Sequence, residues 1–248
     1  VHSTPGGCGA CSPAALRDRL VTFAHTLPGA RTRVSARCLR VDDVTDRGYF
    51  IAFEGGDGAG KSTQVRHLVE ALEAAGREVV VTRQPGGTSL GAALRDLVLH
   101  GEAITPRAEA LIFAADKAQH VQEVILPSLA RGAVVVTDRY VDSSVAYQGA
   151  GRSLGVDEVA QLQGWAVGGL TPDLTVVVDV DPAEGRRRRG GSHDRMESEA
   201  DAFHTAVREH FLALAEAAPE RYLVVDGAAA PEVVAEQVRA RLVADGLL

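Results

Sequence analysis

Residues 49–64 read YFIAFEGGDGAGKSTQ, and this stretch decides the fold. Tyr49 to Phe53 is an apolar run that predicts a buried strand. It leads into Gly55-x-x-x-x-Gly60-Lys61-Ser62, then into a segment with Val65, Leu68, Val69 and Leu72 at helical spacing. Strand, glycine-rich loop and helix, in that order, are the context of a phosphate-binding P-loop. The glycines let successive backbone N–H groups turn towards one anion, and the following helix aims its positive end at the same point. Gly55, Gly56, Asp57, Gly58, Ala59, Gly60, Lys61, Ser62 and Thr63 are therefore the expected nucleotide-phosphate set. Lys61 brings a mobile charge to the terminal phosphates, and Ser62 brings a hydroxyl for Mg²⁺.

Working outward, β-branched runs recur at 49–54, 78–83, 133–138, 173–180 and 221–226. Helical patterns lie at 61–75, 88–99, 105–131, 156–168, 197–217 and 231–244. Strands that are apolar almost throughout belong to a sheet covered on both faces. Their alternation with helices predicts a parallel, doubly wound arrangement. The expectation is an α/β fold of the P-loop NTP hydrolase-like type, a five-stranded parallel sheet with helices on both faces. Ligands collect beyond the carboxyl ends of such strands. Asp138-Arg139-Tyr140 stands there, at the end of the third run. Asp138 can hold the water shell of Mg²⁺ as a Walker-B-type carboxylate does, and Arg139 can fork onto phosphate oxygens.

Composition bounds the function. The 248-residue chain carries a net charge of −7, so there is no broad basic field for duplex nucleic acid. Its longest apolar runs, such as 174–178, are single strands, far short of the ~20 residues that span a bilayer. No cleavable secretory signal is visible. Three cysteines, Cys8, Cys11 and Cys38, fit a reducing cytoplasm and not a disulfide framework. Residues 1–47 are rich in turn-formers and charges, and read as a poorly ordered N-terminal extension before a domain at 48–248. Cys8 and Cys11 have redox or metal spacing but read as incidental thiols of that extension.

DRYVDSSVAYQGAGR, at 138–152, resembles the signature of thymidylate kinases. So do FEGGDGAGKSTQ (53–64), TRQPGGT (82–88), LIFAADKAQHV (111–121), GLTPDLTVVVDVDP (169–182) and DRMESE (194–199), in the family's order. The resemblance implies transfer of the ATP γ-phosphoryl group to dTMP, with Mg²⁺, giving dTDP and ADP for dTTP synthesis. It also implies a homodimer packed through helices, with dTMP as the small-molecule partner and neither nucleic acid nor membrane. By the same resemblance, Asp57 touches the acceptor side, near the sugar 3′-hydroxyl or the helper arginine. Arg139 holds the acceptor phosphate near the γ-phosphate, and Arg83 reaches it as well. Phe113 stacks on thymine, Tyr147 packs under the deoxyribose, and Ser144 and Gln148 serve the base and phosphate.

EGRRRRGGSHDR, at 184–195, falls where the family places its mobile lid, about 183–196. Ala59 stands where some relatives place an arginine in the P-loop. The resemblance to the bacterial type with a basic lid therefore implies that the transition-state arginine is Arg188, Arg189 or Arg195. Asp194 and Glu197 resemble lid-end acids, and Glu197 joins Ser62 and Asp138 as an expected metal-side group. Two positions depart from the family pattern. Gln84 replaces the acid of REPGGT, so one negative charge near the acceptor is lost. Lys117 replaces an arginine, a point charge instead of a fork, able to donate to thymine O4 or to phosphate. Base discrimination is the property these changes touch. The alternatives are a kinase of another nucleoside monophosphate and a nucleotide-binding protein without turnover. The guanine-reading NKxD motif of switch GTPases does not occur.

Overall fold

The computed structural model describes residues 47–189 and 194–248. The expectations placed on residues 1–46, Cys8 and Cys11 among them, and on 190–193 of the lid lie outside the described residues.

All five expected strands form: β1 (Phe50–Glu54), β2 (Val79–Arg83), β3 (Val134–Asp138), β4 (Leu174–Asp179) and β5 (Tyr222–Asp226). They make one parallel sheet in the order β2-β3-β1-β4-β5. The helices are α1 (Lys61–Ala74), α2 (Ser89–His100), α3 (Pro106–His120), α4 (Leu126–Ala130), α5 (Val141–Ser144), α6 (Val156–Ala166), α7 (Pro182–Arg189), α8 (Asp201–Ala217) and α9 (Pro231–Ala244). A strand sends alternate side chains to opposite faces. Ile51 and Phe53 of β1 pack with Leu68 and Leu72 of α1 and Val238 and Leu242 of α9. Phe50 and Ala52 face the other way, into Ile125, Leu126 and Leu129. Val177 of β4 is covered by Phe203, Val207 and Phe211 of α8. Both faces are thus sealed, and each large buried side chain contributes roughly 1.5–3 kcal/mol. The chain leaves β1 towards β2 on one side and leaves β3 towards β4 on the other. A crevice opens where such neighbours part, at their carboxyl ends.

Two helical stretches go beyond the sequence expectation. After β3, α5 continues into a π-helical turn, Val145–Gly151, which keeps Ser144, Tyr147 and Gln148 buried. The arginine run of the lid is itself helical. Asp181 Oδ1 accepts from Ala183 N–H (2.9 Å) at the start of α7, and Glu184 pairs with Arg187 and Arg188 one turn on (2.7 Å each). The expected helix at 105–131 is a continuous run of α3, a π-helical turn Val121–Ile125, and α4.

Candidate active site

The loop after β1 and the turn after β3 meet over the crevice. Arg139 adopts φ 68°, a left-handed conformation that costs of order 1–3 kcal/mol in a non-glycine residue and recurs at functional sites. Its backbone N–H donates to the Phe53 carbonyl (2.9 Å). Its guanidinium donates to four acceptors: Gly55 O (3.1 Å), Ser143 Oγ (2.9 Å), Asp57 Oδ1 (2.5 Å) and Tyr147 Oη (3.1 Å). Tyr147 in turn donates to Asp57 Oδ2 (2.8 Å). Burial pushes the Asp57 pKa upward, but Arg139, Lys61 and the Tyr147 bond outweigh it. They hold the carboxyl well below the usual carboxylate range. Glu54, fully buried at the end of β1, fastens the turn from beneath. Its Oε1 accepts from the N–H groups of Tyr140 (2.8 Å) and Ser143 (3.1 Å), and its Oε2 from the Ser143 hydroxyl. Burial, then neighbouring Asp142, lifts the Glu54 pKa to about 7.

Lys61 opens α1, and its ammonium donates to the carbonyls of Gly55 (3.1 Å) and Gly56 (2.8 Å) across the loop. Burial, then Arg139, lowers its pKa to about 8. Asp138 keeps a buried Oδ1 with no hydrogen-bond partner among the described residues. A buried carboxylate oxygen left unpaired is costly unless something completes its coordination, and hard oxygen donors suit Mg²⁺. Ser62, which lines the same cleft, supplies a second such donor, so the chemistry of the two side chains fits a Mg²⁺ ion. The cleft over the P-loop has a volume of about 900 Å³. Lys61, Arg83, Arg95, Arg139, Arg188 and Arg189 line it against Asp57 and Asp138. In a chain of net charge −7, that concentration of cations marks the cleft as an anion site.

α7 crosses the P-loop backbone to backbone. A Cβ on Gly58 would stand 2.2 Å from the Gly185 carbonyl oxygen, and one on Gly185 2.5 Å from that of Asp57. Glycine at both points lets α7 approach closely enough to bring Arg189 over the site. Arg189 Nη1 lies 3.8 Å from Asp57 Oδ2 and 3.5 Å from Glu197 Oε1. Its Nε and Nη1 are buried without a hydrogen-bond partner among the described residues. Arg188 lines the same cleft but is tied to Glu184 (2.7 Å) and the Gly227 carbonyl (2.7 Å). Arg195 is engaged elsewhere, with the Val98 carbonyl (2.9 Å) and Glu109 (2.6 Å). Glu197 accepts from Asp194 N–H (3.2 Å), and Asp194 accepts from the N–H groups of Met196 (2.8 Å) and Glu197 (2.9 Å).

A second cavity shares Asp57, Gln84, Arg95 and Arg139 with the cleft and runs on to Phe113, Lys117, Ser144, Tyr147 and Gln148. Phe113 and Lys117 lie one turn apart on α3. The Lys117 ammonium is 5.5 Å from the Phe113 ring centroid and donates to Ser144 Oγ (2.7 Å). Burial lowers the Lys117 pKa to about 8. Gln84 Nε2 is 2.6 Å from His120 Nδ1, and His120 Nε2 is 2.6 Å from Thr82 Oγ1. Burial, then Lys117, lowers the His120 pKa to about 4, so the ring is neutral and can accept from the Gln84 amide. Arg95 donates to the Pro85 carbonyl (3.1 Å) and faces both cavities. Sequence reasoning does not find Glu54, Arg95 or His120. Only Glu54 carries a local signal, an acid that closes an apolar strand.

A family model described as Thymidylate kinase matches residues 53–238. A protein named Thymidylate kinase from Clavibacter sepedonicus is 56% identical over 198 residues, covering 78% of this chain and 94% of that protein. One of the same name from Bifidobacterium longum (strain NCC 2705) is 54% identical over 192 residues, 75% of this chain and 93% of its own. A third, from Cutibacterium acnes, is 52% identical over 197 residues, 79% and 96%. The matched span takes in the P-loop, the Asp138-Arg139 turn and the arginine helix that converge on one crevice, and the chain belongs to the thymidylate kinase family.

Proposed function

We propose that the chain transfers the γ-phosphoryl group of ATP to dTMP, giving dTDP and ADP. The observation that carries this reading is the sharing of Asp57, Gln84, Arg95 and Arg139 between the two cavities. A polyphosphate over the P-loop and a nucleotide lodged against α3 bring their phosphates together at Arg139. Lys61 and the loop N–H groups hold the donor. Arg139, Arg83 and Arg95 hold the acceptor phosphate, and Asp57 fixes Arg139. Phe113 stacks on the base, Tyr147 packs under the sugar, and Lys117, Ser144 and Gln148 face the base edge. Phosphate monoesters have a second pKa near ~6, so the acceptor is largely a dianion at neutral pH and attacks without a general base. One of its oxygens bonds the γ-phosphorus as the bond to the β–γ bridging oxygen breaks, and that electron pair leaves on ADP. Positioning and charge neutralisation supply the rate. Arg189 is the lid arginine placed to meet the transferring group, and Glu197 is placed to hold Arg189. Mg²⁺ on Ser62 and Asp138 would neutralise charge on the phosphate oxygens.

The α3–α6 face is proposed as a homodimer surface, because Leu111 and Trp165 stand 57% and 81% exposed there. A reducing cytoplasm fits the sparse cysteines. No helix among the described residues is long and apolar enough to cross a membrane. The catalytic domain is assigned to 48–248, with its lid at about 183–196 and residues 1–47 outside it.

A coupled ADP-release assay with Mg-ATP and thymidine, deoxyuridine, uridine, cytidine, adenosine and guanosine monophosphates tests the reading. Strong preference for dTMP is expected, with Gln84 and Lys117 tolerated. Turnover of a different acceptor alone overturns the base-site assignment, and silence on every acceptor overturns the activity.

A further inference from the structure

Glu109 lies in the first turn of α3 and is fully buried. With Phe113 and Lys117 it forms a stripe at four-residue spacing along one helix face, the face that lines the base cavity further on. Its Oε1 accepts from Gln148 Nε2 (2.9 Å) and Arg152 Nε (3.3 Å). Its Oε2 accepts from Arg195 Nη2 (2.6 Å) and Arg152 Nη2 (3.4 Å). Gln148 itself is 1% exposed and lines the base cavity.

An ionised carboxylate has no donor, so it can bind a glutamine amide only through the NH₂ group. The nitrogen of Gln148 is therefore held towards Glu109 whichever way the amide is drawn, and the carbonyl oxygen is the end left for the cavity. That oxygen can accept but cannot donate. A thymine or uracil ring offers an N–H at N3, which satisfies it. Cytosine has a bare acceptor at N3, and two acceptors facing each other in a dry site are left unpaired. We propose that Glu109 is a positioning residue for base choice: it locks the Gln148 amide so that the cavity accepts an imide N–H and rejects a cytosine ring. This deepens the proposed function and rests on its placing of the base beside Gln148.

Glu109→Gln tests the lock. Arg152 and Arg195 would draw the oxygen of the new amide, leaving its NH₂ towards Gln148. Gln148 must then turn its own oxygen inward and present NH₂ to the base. Steady-state kcat/KM should fall about tenfold for dTMP, as for one lost hydrogen bond, while the value for dCMP holds or rises. A merely structural role would lower both acceptors together, and that result overturns the proposal. The exchanged pair Glu109→Gln with Gln148→Glu restores a donor at 109 and an acceptor at 148, so preference for dTMP should return. If the single variant fails to fold by circular dichroism, the exchanged pair decides alone, and loss of dTMP preference in it overturns the lock. Gln148→Ala separates the two readings. A loss of dTMP efficiency there, with no change of preference in Glu109→Gln, sinks the lock and keeps the base site. An unchanged dTMP efficiency in Gln148→Ala sinks the base-site placement, and the lock with it.

Discussion

The phosphate end and the base end of the site are built by different means. At the phosphate end, backbone does much of the work: Lys61 is held on the Gly55 and Gly56 carbonyls, and Arg139 shares the Gly55 carbonyl as well as donating to Asp57. The groups come from two short stretches that follow adjacent strands. At the base end, side chains from α3, the 145–151 turn and the loop after β2 converge, and burial moves their titrations as it moves that of Lys61. Lys117 is brought down to about 8 and His120 to about 4. One end is prepared to neutralise charge as it moves. The other is prepared to exclude water and to sort ligands by shape and hydrogen bonding. Damage at the first should fall on kcat, and damage at the second on KM and acceptor preference.

The sharpest way to break that contrast is at Lys61 and Arg139. Lys61→Ala and Arg139→Ala should each lower kcat by roughly 10³-fold or more, because each removes a cation that meets transferring phosphate. Circular dichroism should stay native-like. Near wild-type kcat, with the loss appearing only in KM for dTMP, would erase the division of labour between the two ends.

The same contrast explains what the sequence discloses. β1, β3 and β4 are buried on both faces and read as apolar runs, the half-exposed edge strands β2 and β5 are legible from their β-branched residues, and Lys61, Ser62 and Asp138 follow from spacing within motifs. The 141–151 segment is different. Its serines, glycines and β-branched residues are poor helix formers. What shapes it is distant: Glu54 accepts from the N–H groups of Tyr140 and Ser143 across 86 and 89 residues of chain. α7 has no apolar stripe to read, since its helix rests on the Asp181 cap and the Glu184 pairs. Arg95, His120 and Glu109 matter through partners such as Pro85, Gln84 and Gln148, which no local pattern announces. The roles of Phe113, Tyr147 and Gln148 enter by resemblance, because the base end is assembled from separate segments.

The lid carries both ends in one stretch of chain, and its arginines can be told apart. Arg189 stands over Asp57 in the phosphate cleft, whereas Arg195 is held on Glu109. Arg189→Ala should lower kcat by roughly 10²–10³-fold with little change in KM, as for loss of one transition-state donor. Arg195→Ala should leave kcat within about threefold and act on acceptor efficiency instead. Initial rates over a dTMP series give both parameters. The reverse ranking would move the lid arginine from α7 to the 194–199 segment.

The smallest effect is a pH limb that belongs to the base end. Lys117 titrates near 8 because burial disfavours its charged form, although Asp116 and Glu54 favour it. In the proposed mechanism the Lys61 ammonium is held by the donor phosphates at saturating Mg-ATP, so the alkaline limb of kcat/KM for dTMP should report Lys117. Efficiency should fall several-fold, about three- to tenfold, as pH rises through that value and the ammonium loses its proton. Stability should run the other way. Between about 8 and the ordinary lysine value of 10.5, the folded protein has released a proton that the unfolded chain still binds. The contribution of this group to folding therefore rises with pH across that window. A fall in efficiency with no fall in melting temperature distinguishes titration at the base from alkaline unfolding. Lys117→Arg places a guanidinium there, which stays charged throughout the range, so the limb should disappear. A limb that persists in Lys117→Arg would mean that the titrating group sits at the phosphate end, and that the base end does not depend on this charge.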